Sequence, residues 1–405
     1  MKTACLEPDA GTAVEPVARL PLSALLALAM TGFIAILTET LPAGLLPGIG
    51  ASLRVSEALA GQLVSVYALG SLAAAIPLVS LTQGWRRRPL LMLALIGFLA
   101  FNAVTALSDH YGLILLARFC AGVAAGLVWG LLAGYARRLV APPLQGRAMA
   151  LAMIGTPLAL SLGVPLGTWL GLLLGWRTLF GLVSGFALAL LAWVAWKVPD
   201  FPGRRAGQRA GLASVLRTPG VRPVLLVILA WVLAHNLLYT YIAPFLAAQG
   251  MAGQIEWVLL AFGGSALLGI AGVGLGIDRH LRRLVLLSLA GFALAALLLG
   301  LGGGSPAVLY VGVALWGLTF GGAATLLQTA SADAAGDGAD VAQSMIVTVW
   351  NLAIAGGGLL GGLLLERAGV GSVPWALLGL IAVAALCVQL EGGRGFASGE
   401  RRGQG

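Results

Sequence analysis

Two ionisable side chains, Glu39 and Arg118, fall clearly inside long apolar stretches of this 405-residue chain. A charge at mid-membrane costs about 2.5–3.5 kcal/mol on insertion scales, so such a residue usually faces a cavity or a partner. A carboxyl group held away from water can take up and release a proton. A guanidinium stays charged and can hold a carboxylate or an anionic ligand. The two residues therefore predict a proton-coupling pair, with Glu39 as the carrier and a possible substrate contact, and Arg118 as its electrostatic partner.

Structural roles compete with this interpretation. Glu39 could meet water near the end of the first apolar run. Arg118 could simply tie helices together by donating hydrogen bonds to their backbone carbonyls. Both alternatives stay open at the level of the sequence.

Polar and aromatic residues of the second half are candidate substrate contacts. His235, Asn236, Tyr239 and Tyr241 cluster before a helix-kinking Pro244. His235 and Tyr239 are four residues apart and share one helix face. Trp350 and Asn351 could add a stacking and hydrogen-bonding wall, and a pocket of this kind suits amphiphilic small molecules. The alternative is that these polar groups only join helices.

The elements that must position these residues are membrane helices. The chain is 59% hydrophobic and 10% charged, against about 25% charged in soluble domains, which excludes a soluble globular enzyme. Charges and turn residues divide it into twelve apolar runs, each near the roughly 20 residues that a span requires. The predicted spans are 20–41, 58–81, 89–108, 111–136, 148–173, 178–196, 224–247, 257–277, 284–301, 306–330, 341–364 and 373–390.

The distribution of basic residues predicts the orientation. With the N-terminus inside, twenty of the 24 Lys and Arg residues fall on the inner side, three fall outside and Arg118 is buried. This asymmetry places both termini in the cytoplasm. It also accounts for the net charge of +9, so no nucleic-acid partner is needed. The predicted organisation is a tail 1–19, a six-helix bundle 20–197, a flexible linker 198–221, a second bundle 222–390 and a tail 391–405.

An internal repeat appears at an offset of 195 residues. Arg87 and Arg88 then fall on Arg282 and Arg283. Spaced glycines coincide in two further regions: Gly122 and Gly126 with Gly317 and Gly321, and Gly163 and Gly167 with Gly358 and Gly362. Two parallel halves of six helices, with a site between them, are the arrangement of one large class of transporters.

Several motifs resemble the major facilitator superfamily, especially bacterial twelve-span drug/proton antiporters of the sugar-efflux and chloramphenicol-resistance branch. They are "LTETLPAGLLPGIG" (37–50), "LILLARFCAGVAAG" (113–126), "GVPLGTWLG" (163–171), "GWRTLF" (175–180), "YTYIAPFL" (239–246) and "GIDRHLRR" (276–283). The resemblance implies gating roles for Gly163, Pro165 and Gly167, although tight helix packing explains these residues equally well. Asp278, Arg279, Arg282 and Arg283 could latch helices on the inner side; the alternative is that the arginines are ordinary cytoplasmic-side charges. The first-half loop departs from the pattern, since Gln83 stands where Asp278 stands in the second.

The expected fold is therefore an all-α membrane protein of twelve helices in two bundles. The expected function is proton-coupled efflux of small amphiphilic or sugar-like compounds by alternating access. The protein would work as a monomer in the lipid bilayer of the bacterial inner membrane, driven by the proton gradient without a cofactor. No GxxxxGK[ST] loop is present in the sequence, so ATP hydrolysis by this chain is excluded. The alternatives are an importer or uniporter of a sugar or nucleoside, and a transporter-like sensor that binds ligand without moving it.

Overall fold

The computed structural model describes residues 20–75, 77–82, 84–203, 212–302, 304–336, 339–391 and 395–396. The predicted N-terminal tail 1–19, residue Gln83, residues 204–211 of the predicted linker and residues 397–405 of the C-terminal tail lie outside this part of the chain.

In the described part of the chain, twelve helices are long and apolar enough to cross a membrane. They are α1 (Leu22–Leu53), α2 (Glu57–Ala74), α3 (Arg87–Leu107), α4 (Tyr111–Arg138), α5 (Pro142–Leu174), α6 (Trp176–Lys197), α7 (Val221–Thr240), α8 (Ala252–Ile277), α9 (Arg279–Leu301), α10 (Pro306–Ala335), α11 (Val341–Ala368) and α12 (Val370–Leu390). The described residues contain no strand. The predicted all-α fold with twelve spans is confirmed.

The two faces of the bundle can be told apart by the chain ends. Because the number of spans is even, α1 begins and α12 ends on the same face, which we call the terminal face. The opposite face, where α1 ends and α2 begins, is the distal face. Of the basic residues in the described loops, Arg54, Arg177 and Arg367 lie toward the distal face and the others toward the terminal face.

Helix bounds differ from prediction where turn-forming residues lie inside helices. The first helix continues through Pro42 and Pro47 to Leu53 instead of ending at residue 41. The connection between α8 and α9 is shorter than the expected loop: residues 255–301 are helical almost throughout, and the two helices meet at His280, whose backbone angles (φ −130°, ψ 31°) are not helical. In a membrane, neighbouring helices can satisfy the backbone groups that proline or a kink releases, which lets helices persist through such residues.

Glycine contacts bear out the repeat predicted at 195 residues where Gly122 falls on Gly317. In the first bundle, Gly122 of α4 lies so close to the Tyr67 carbonyl of α2 that a Cβ would overlap it. In the second bundle, Gly317 of α10 meets the carbonyl of Phe262 in α8 in the same way, and 262 is 195 residues after 67. Small residues at such crossings let membrane helices pack backbone to backbone.

The two bundles meet in their distal halves and near the middle of the spans. On the distal side α2 packs along α11, and α1 packs against Ile242–Ala248, the helix that follows α7. Near the middle, the backbone of Ser161 in α5 approaches Gly263 of α8. These contacts place α1, α2, α5, α7, α8 and α11 along the boundary between the bundles.

The segment that follows α6 is part of the first bundle's terminal face. Phe201 is buried and packs its ring against Tyr135, whose hydroxyl donates to the Pro199 carbonyl at 2.6 Å. Arg138 of α4 donates to the Pro202 carbonyl at 2.7 Å. Residues 198–203, which the sequence assigns to a flexible linker, are therefore held on the bundle, and the helix Leu212–Arg217 packs on the second bundle. The exact limits of the two bundles stay a prediction.

Candidate functional site

Glu39 lies near the middle of the first membrane-spanning helix. It is near the midpoint of the 32-residue helix α1, and its side chain is 6% exposed. The suggestion that it merely meets water at a helix end depended on α1 stopping at residue 41, which it does not. A buried carboxyl group at this depth is costly to keep charged, so its protonation can depend on the conformation around it.

Arg118 connects three helices around Glu39. It is fully buried on α4, its Nε donates to the Leu63 carbonyl of α2 at 3.2 Å, and its Nη2 donates to the backbone carbonyl of Glu39 at 3.2 Å. Its guanidinium carbon lies 4.8 Å from the centre of the Tyr67 ring, a cation–π contact. The described side chains form no ion pair between Arg118 and the Glu39 carboxylate.

One donor of Arg118 remains available. Its Nη1 is buried and has no hydrogen-bond partner, although a buried donor that lacks a partner costs about 1–3 kcal/mol or more when charged. The structure therefore shows the backbone contacts expected of a helix-joining arginine. It also leaves a free donor that a carboxylate or a ligand oxygen could occupy.

Neighbouring polar contacts hold α1 in register around this pair. The Tyr67 hydroxyl donates to the Ala35 carbonyl at 2.8 Å, and Asn102 of α3 donates to the Thr38 hydroxyl at 3.1 Å. The hydroxyl of Thr40 is bonded within α1, to the Ile36 carbonyl at 2.7 Å. These bonds fix the face of α1 that carries Glu39 toward α2 and α4.

His235 of α7 is the centre of an aromatic cluster in the second bundle. Its ring stacks on Phe320 with centroids 3.6 Å apart and planes 6° apart. Phe262 and Tyr239 flank it at 5.6 and 5.3 Å. The indole of Trp316 donates to His235 Nδ1 at 3.2 Å, which assigns the proton of a neutral imidazole to Nε2. Trp350 contacts the edge of the cluster through Phe320, at 6.4 Å.

Tyr239 connects this cluster to the Glu39 region. Its hydroxyl lies next to Thr40 and close enough to Glu39 for the two groups to interact electrostatically, across the boundary between the bundles. The side chain is 3% exposed, and the hydroxyl makes no well-formed hydrogen bond. Glu39, Tyr239 and His235 therefore lie in one continuous buried region that both bundles contribute to.

Tyr241 belongs to a different part of the molecule. Its buried hydroxyl lies 2.8 Å from the Gly358 carbonyl of α11 and 3.3 Å from the Ala58 carbonyl of α2. Gln62 of α2 adds a bond to the same Gly358 carbonyl at 3.3 Å. This set of contacts, which we call the distal seal, joins the bundles. The structure thus separates Tyr241 from the His235 cluster with which the sequence groups it.

The two asparagines among the candidates bond to their own helices. Asn236 donates to the Val232 carbonyl at 2.9 Å and Asn351 to the Val347 carbonyl at 2.8 Å. Both are mostly buried, at 8% and 6% exposure. Asn236 also packs against Gly357 of α11, so it contributes to helix packing as well as lying one residue from His235.

The Gly163, Pro165 and Gly167 segment shapes α5. A π-helical turn spans Ala159–Gly163 immediately before Pro165, where proline removes one backbone donor. Gly163 and Gly167 face Phe33, Leu37 and Leu41 of α1 within the same bundle. The contact to α8 is made by the π-turn itself, at Ser161. A π-turn in a boundary helix is a common functional irregularity, and the gating role stays a prediction.

Of the four residues of the predicted latch, Arg282 has clear contacts. Its Nη2 donates to the carbonyls of Val388 and Gln389, at 3.2 and 3.4 Å, at the end of α12. Arg279 and Arg283 are exposed on the same face, and the side chain of Asp278 lies outside the described part of the structure. The first bundle repeats the arrangement, since Arg88 donates to the carbonyls of Ala195 and Val198 at the end of α6.

The first bundle also contains an acid that the sequence does not single out. Asp200 pairs with Arg86 Nε at 2.5 Å and accepts the backbone N–H of Arg88 at 3.0 Å. Partial burial acts to raise the pKa of Asp200, but these hydrogen bonds and the nearby arginine charges outweigh it and hold the pKa below its usual value. The sequence offered one clue to Asp200: it is the first acidic residue after the sixth predicted span, on the side of the membrane where the loop arginines concentrate.

The site also includes aromatic residues that sequence reasoning missed. Tyr67, Phe262, Trp316 and Phe320 surround Arg118 or His235. The repeat could have pointed to Tyr67 and Phe262, which occupy equivalent places in the two halves, but not to Trp316 and Phe320, whose equivalents are alanines. The described residues contain no group of His, Cys, Asp and Glu that could hold a metal ion.

Comparisons with known proteins agree with this architecture. Residues 28–353 match the family model described as Major Facilitator Superfamily. The chain is 34% identical over 371 residues to a chloramphenicol efflux pump of Mycobacterium tuberculosis, covering 88% of this chain and 89% of the pump. It is 32% identical over 362 residues to a purine ribonucleoside efflux pump of Shigella dysenteriae, covering 87% and 90%.

A solved structure shows the same fold. The crystal structure of the human organic anion transporter MFSD10 superposes with a TM-score of 0.72 at 20% identity, over 92% of this chain and all of that one. The family match spans both bundles, and the twelve spans fit it. The chain belongs to the Major Facilitator Superfamily and is a multi-pass membrane transporter, not an enzyme.

Proposed function

We propose that this transporter exports small amphiphilic compounds in exchange for protons across the bacterial inner membrane. The observation that carries the proposal is the buried region shared by the two bundles. There, one carboxyl group, Glu39, lies beside a buried arginine and within electrostatic reach of Tyr239, which belongs to an aromatic cluster. Transporters place substrate and coupling ions at the midplane between their repeats.

Glu39 is the proposed proton carrier. When the carboxyl group is protonated, Arg118 donates to the backbone carbonyls of Leu63 and Glu39 and keeps its Nη1 unpaired, as in the described structure. When it is ionised, the free Nη1 of Arg118 can bind the carboxylate. The two protonation states therefore favour different arrangements of α1 against α4, which couples the proton to a change of conformation.

The proposed substrate contacts are Glu39, His235, Asn236, Tyr239, Trp350 and Asn351. Flat aromatic surfaces suit a substrate that carries a planar ring, and the buried Tyr239 hydroxyl without a partner suits a ligand hydroxyl or carbonyl. Two relatives are named for chloramphenicol and for purine ribonucleosides, compounds that each carry a ring and at least two hydroxyl groups. Tyr241 is assigned to the distal seal.

The proposed orientation places the terminal face and both termini in the cytoplasm. Basic residues concentrate on that face, which is the cytoplasmic signature of membrane proteins. Because the described contacts between bundles lie in the distal halves and near the midplane, this orientation makes the structure an inward-open state. Substrate would enter from the cytoplasm, and a proton from the outside would return through Glu39.

The experiment is transport in proteoliposomes with Glu39→Gln, which keeps the shape of the side chain but cannot carry a proton. Uptake into vesicles driven by a proton gradient should fall to the level of empty vesicles, while exchange of labelled for unlabelled substrate continues. Glu39→Asp should restore part of the gradient-driven transport. Gradient-driven transport by Glu39→Gln at the wild-type rate would overturn the proposal.

The same vesicles test the other functions. An importer would move substrate in the same direction as the protons, and a uniporter would ignore the gradient. A sensor would bind substrate without exchanging it. The compounds to use in the vesicles come from a growth-inhibition panel of antibiotics, dyes, sugars and nucleosides. The panel compares cells with and without the gene.

A further inference from the structure

An apolar groove lies between α9 and α12 on the terminal half of the second bundle. It has a volume of about 490 Å³ and is lined by apolar side chains of the two helices, with Gln389 as its polar residue at the terminal end. Along α9 it extends from Leu286 to Ala293, which is about 10 Å of helix. At the distal end the same helices close together, because Gly300 lies against Pro374 and Trp375.

The groove exists because its lining includes small residues, whereas the equivalent positions of the first bundle carry large side chains. Ala290, Ala293 and Ala385 line it. The positions 195 residues earlier carry Leu95, Phe98 and Leu190, and all three side chains are buried. The two bundles share one architecture, so the groove arises from these substitutions and not from the fold.

Two arginines lie at the end of the groove that opens at the terminal face. Arg282 and Arg283 precede Leu286 by one turn of α9, and Arg282 bonds to the carbonyl of Gln389 itself. The Nε of Arg282 is buried without a partner, and Arg283 is exposed. Among the described side chains, no ion pair engages either arginine.

The first bundle has an acid beside its loop arginines, and the second has none at the equivalent position. There Asp200 pairs with Arg86 and accepts the N–H of Arg88. In the second bundle Gly395 takes the place of Asp200, 195 residues later. The carboxylate of nearby Glu391 accepts the backbone N–H groups of Gly395 and Phe396. Among the described side chains of the second bundle, therefore, no acid pairs with Arg282 or Arg283 at the groove.

We propose that this groove binds an anionic phospholipid, with an acyl chain along Ala290 and Ala293 and the phosphate on Arg282 and Arg283. An apolar groove that opens toward the bilayer core must be filled by hydrocarbon, because water is absent at that depth. The head group is selected by charge, since each arginine near the surface favours an anionic lipid about fivefold. The occupant is therefore a lipid with a net negative head group, such as phosphatidylglycerol.

The test is native mass spectrometry of the purified full-length protein with equal amounts of phosphatidylglycerol and phosphatidylcholine carrying the same acyl chains. The wild type should retain phosphatidylglycerol preferentially. Arg283→Gln should weaken that binding about fivefold and leave phosphatidylcholine binding unchanged. Arg283 is the better choice for substitution, because Arg282 also holds the end of α12. Arg147→Gln is the matched control, since it removes one exposed charge from the same face of the first bundle.

A second variant tests the groove itself. Ala290→Leu with Ala293→Phe installs the side chains of the first bundle, and it should abolish retention of the lipid without lowering the thermal stability of the protein. Equal retention of the two lipids, or retention unaffected by both sets of substitutions, would overturn the proposal. Displacement of the lipid by millimolar inorganic phosphate alone would also overturn it and would identify a simple anion site.

Discussion

Replacing Tyr241 with phenylalanine should loosen the distal seal selectively. The substitution removes one hydroxyl and leaves the ring in place against Gly61 and Gly361. The hydroxyl has a single proton and two acceptors: the Gly358 carbonyl of its own bundle at 2.8 Å and the Ala58 carbonyl of the first bundle at 3.3 Å. The variant therefore loses the longer, shared bond between the bundles as well as the shorter bond within the second bundle, and it keeps the packing.

The size of the effect follows from what remains. Gln62 still donates to the carbonyls of both Gly358 and Ala58, at 3.3 and 3.2 Å, so neither acceptor is left without a partner. Opening the seal breaks only the longer bond to Ala58, because the bond to Gly358 stays within the second bundle. The variant should therefore weaken the closed state by the lower end of the usual range for a hydrogen bond, about 0.5 kcal/mol. The distally open population should rise by about twofold relative to the closed one.

The assay is the alkylation rate of a single cysteine placed inside the seal. Ser65 suits this purpose, because it is fully buried against Gly358 and its hydroxyl has no hydrogen-bond partner to lose. In a background without the native cysteines, Ser65→Cys is treated with a membrane-impermeant maleimide from the distal side. If opening is fast relative to alkylation, the rate is proportional to the open fraction, and it should rise by the same factor.

Tyr111→Phe is the matched control. Its hydroxyl donates to the Leu59 carbonyl at 2.7 Å and so joins α4 to α2 within one bundle. That variant should leave the alkylation rate unchanged. An equal rate in Tyr241→Phe and wild type, or a slower one, would refute the assignment of Tyr241 to the seal.

Two further predictions concern the first bundle. Gly122→Ala should lower the free energy of unfolding by about 1–3 kcal/mol, because the new Cβ would overlap the Tyr67 carbonyl. Gly134→Ala, on an open face of the same helix, should leave that free energy unchanged. Thermal denaturation of the two variants measures the difference. The lowered pKa of Asp200 contributes stability that is complete above the usual pKa of 3.8 and is lost as the pH falls through the lowered value. Asp200→Asn should therefore cost about 0.5–1 kcal/mol at pH 7, since its partner Arg86 is 69% exposed. The difference from wild type should disappear at low pH, and a difference that persists there would contradict the ion-pair role.

The number of spans and the repeat could be predicted because both depend on composition along the chain. Apolar runs and charge clusters mark twelve spans, and Gly122 and Gly317 mark equivalent crossings. The end of α1 could not be predicted, since Pro42 and Pro47 resemble a turn in the sequence. Neighbouring helices support the backbone there, and a single sequence does not show which helices are neighbours.

The composition of the site was only partly predictable for the same reason. His235 and Tyr239 share a helix face, so helical spacing alone brings them together. Tyr241 is two residues further along and points to other helices, which places it in the seal. Two further contacts depend on tertiary packing, which residue spacing does not encode. Arg118 donates to the backbone carbonyl of Glu39, and the partly buried Asp200 pairs with Arg86.

Proton release on substrate binding tests the central proposal most directly. Purified protein in weakly buffered detergent solution, with a pH-sensitive dye, is mixed with the compound that the growth panel identifies. If substrate and proton compete through Glu39, the wild type should release protons on binding, and Glu39→Gln should bind the compound without releasing any. Equal proton release from both proteins, or binding by the wild type without release, would contradict the account.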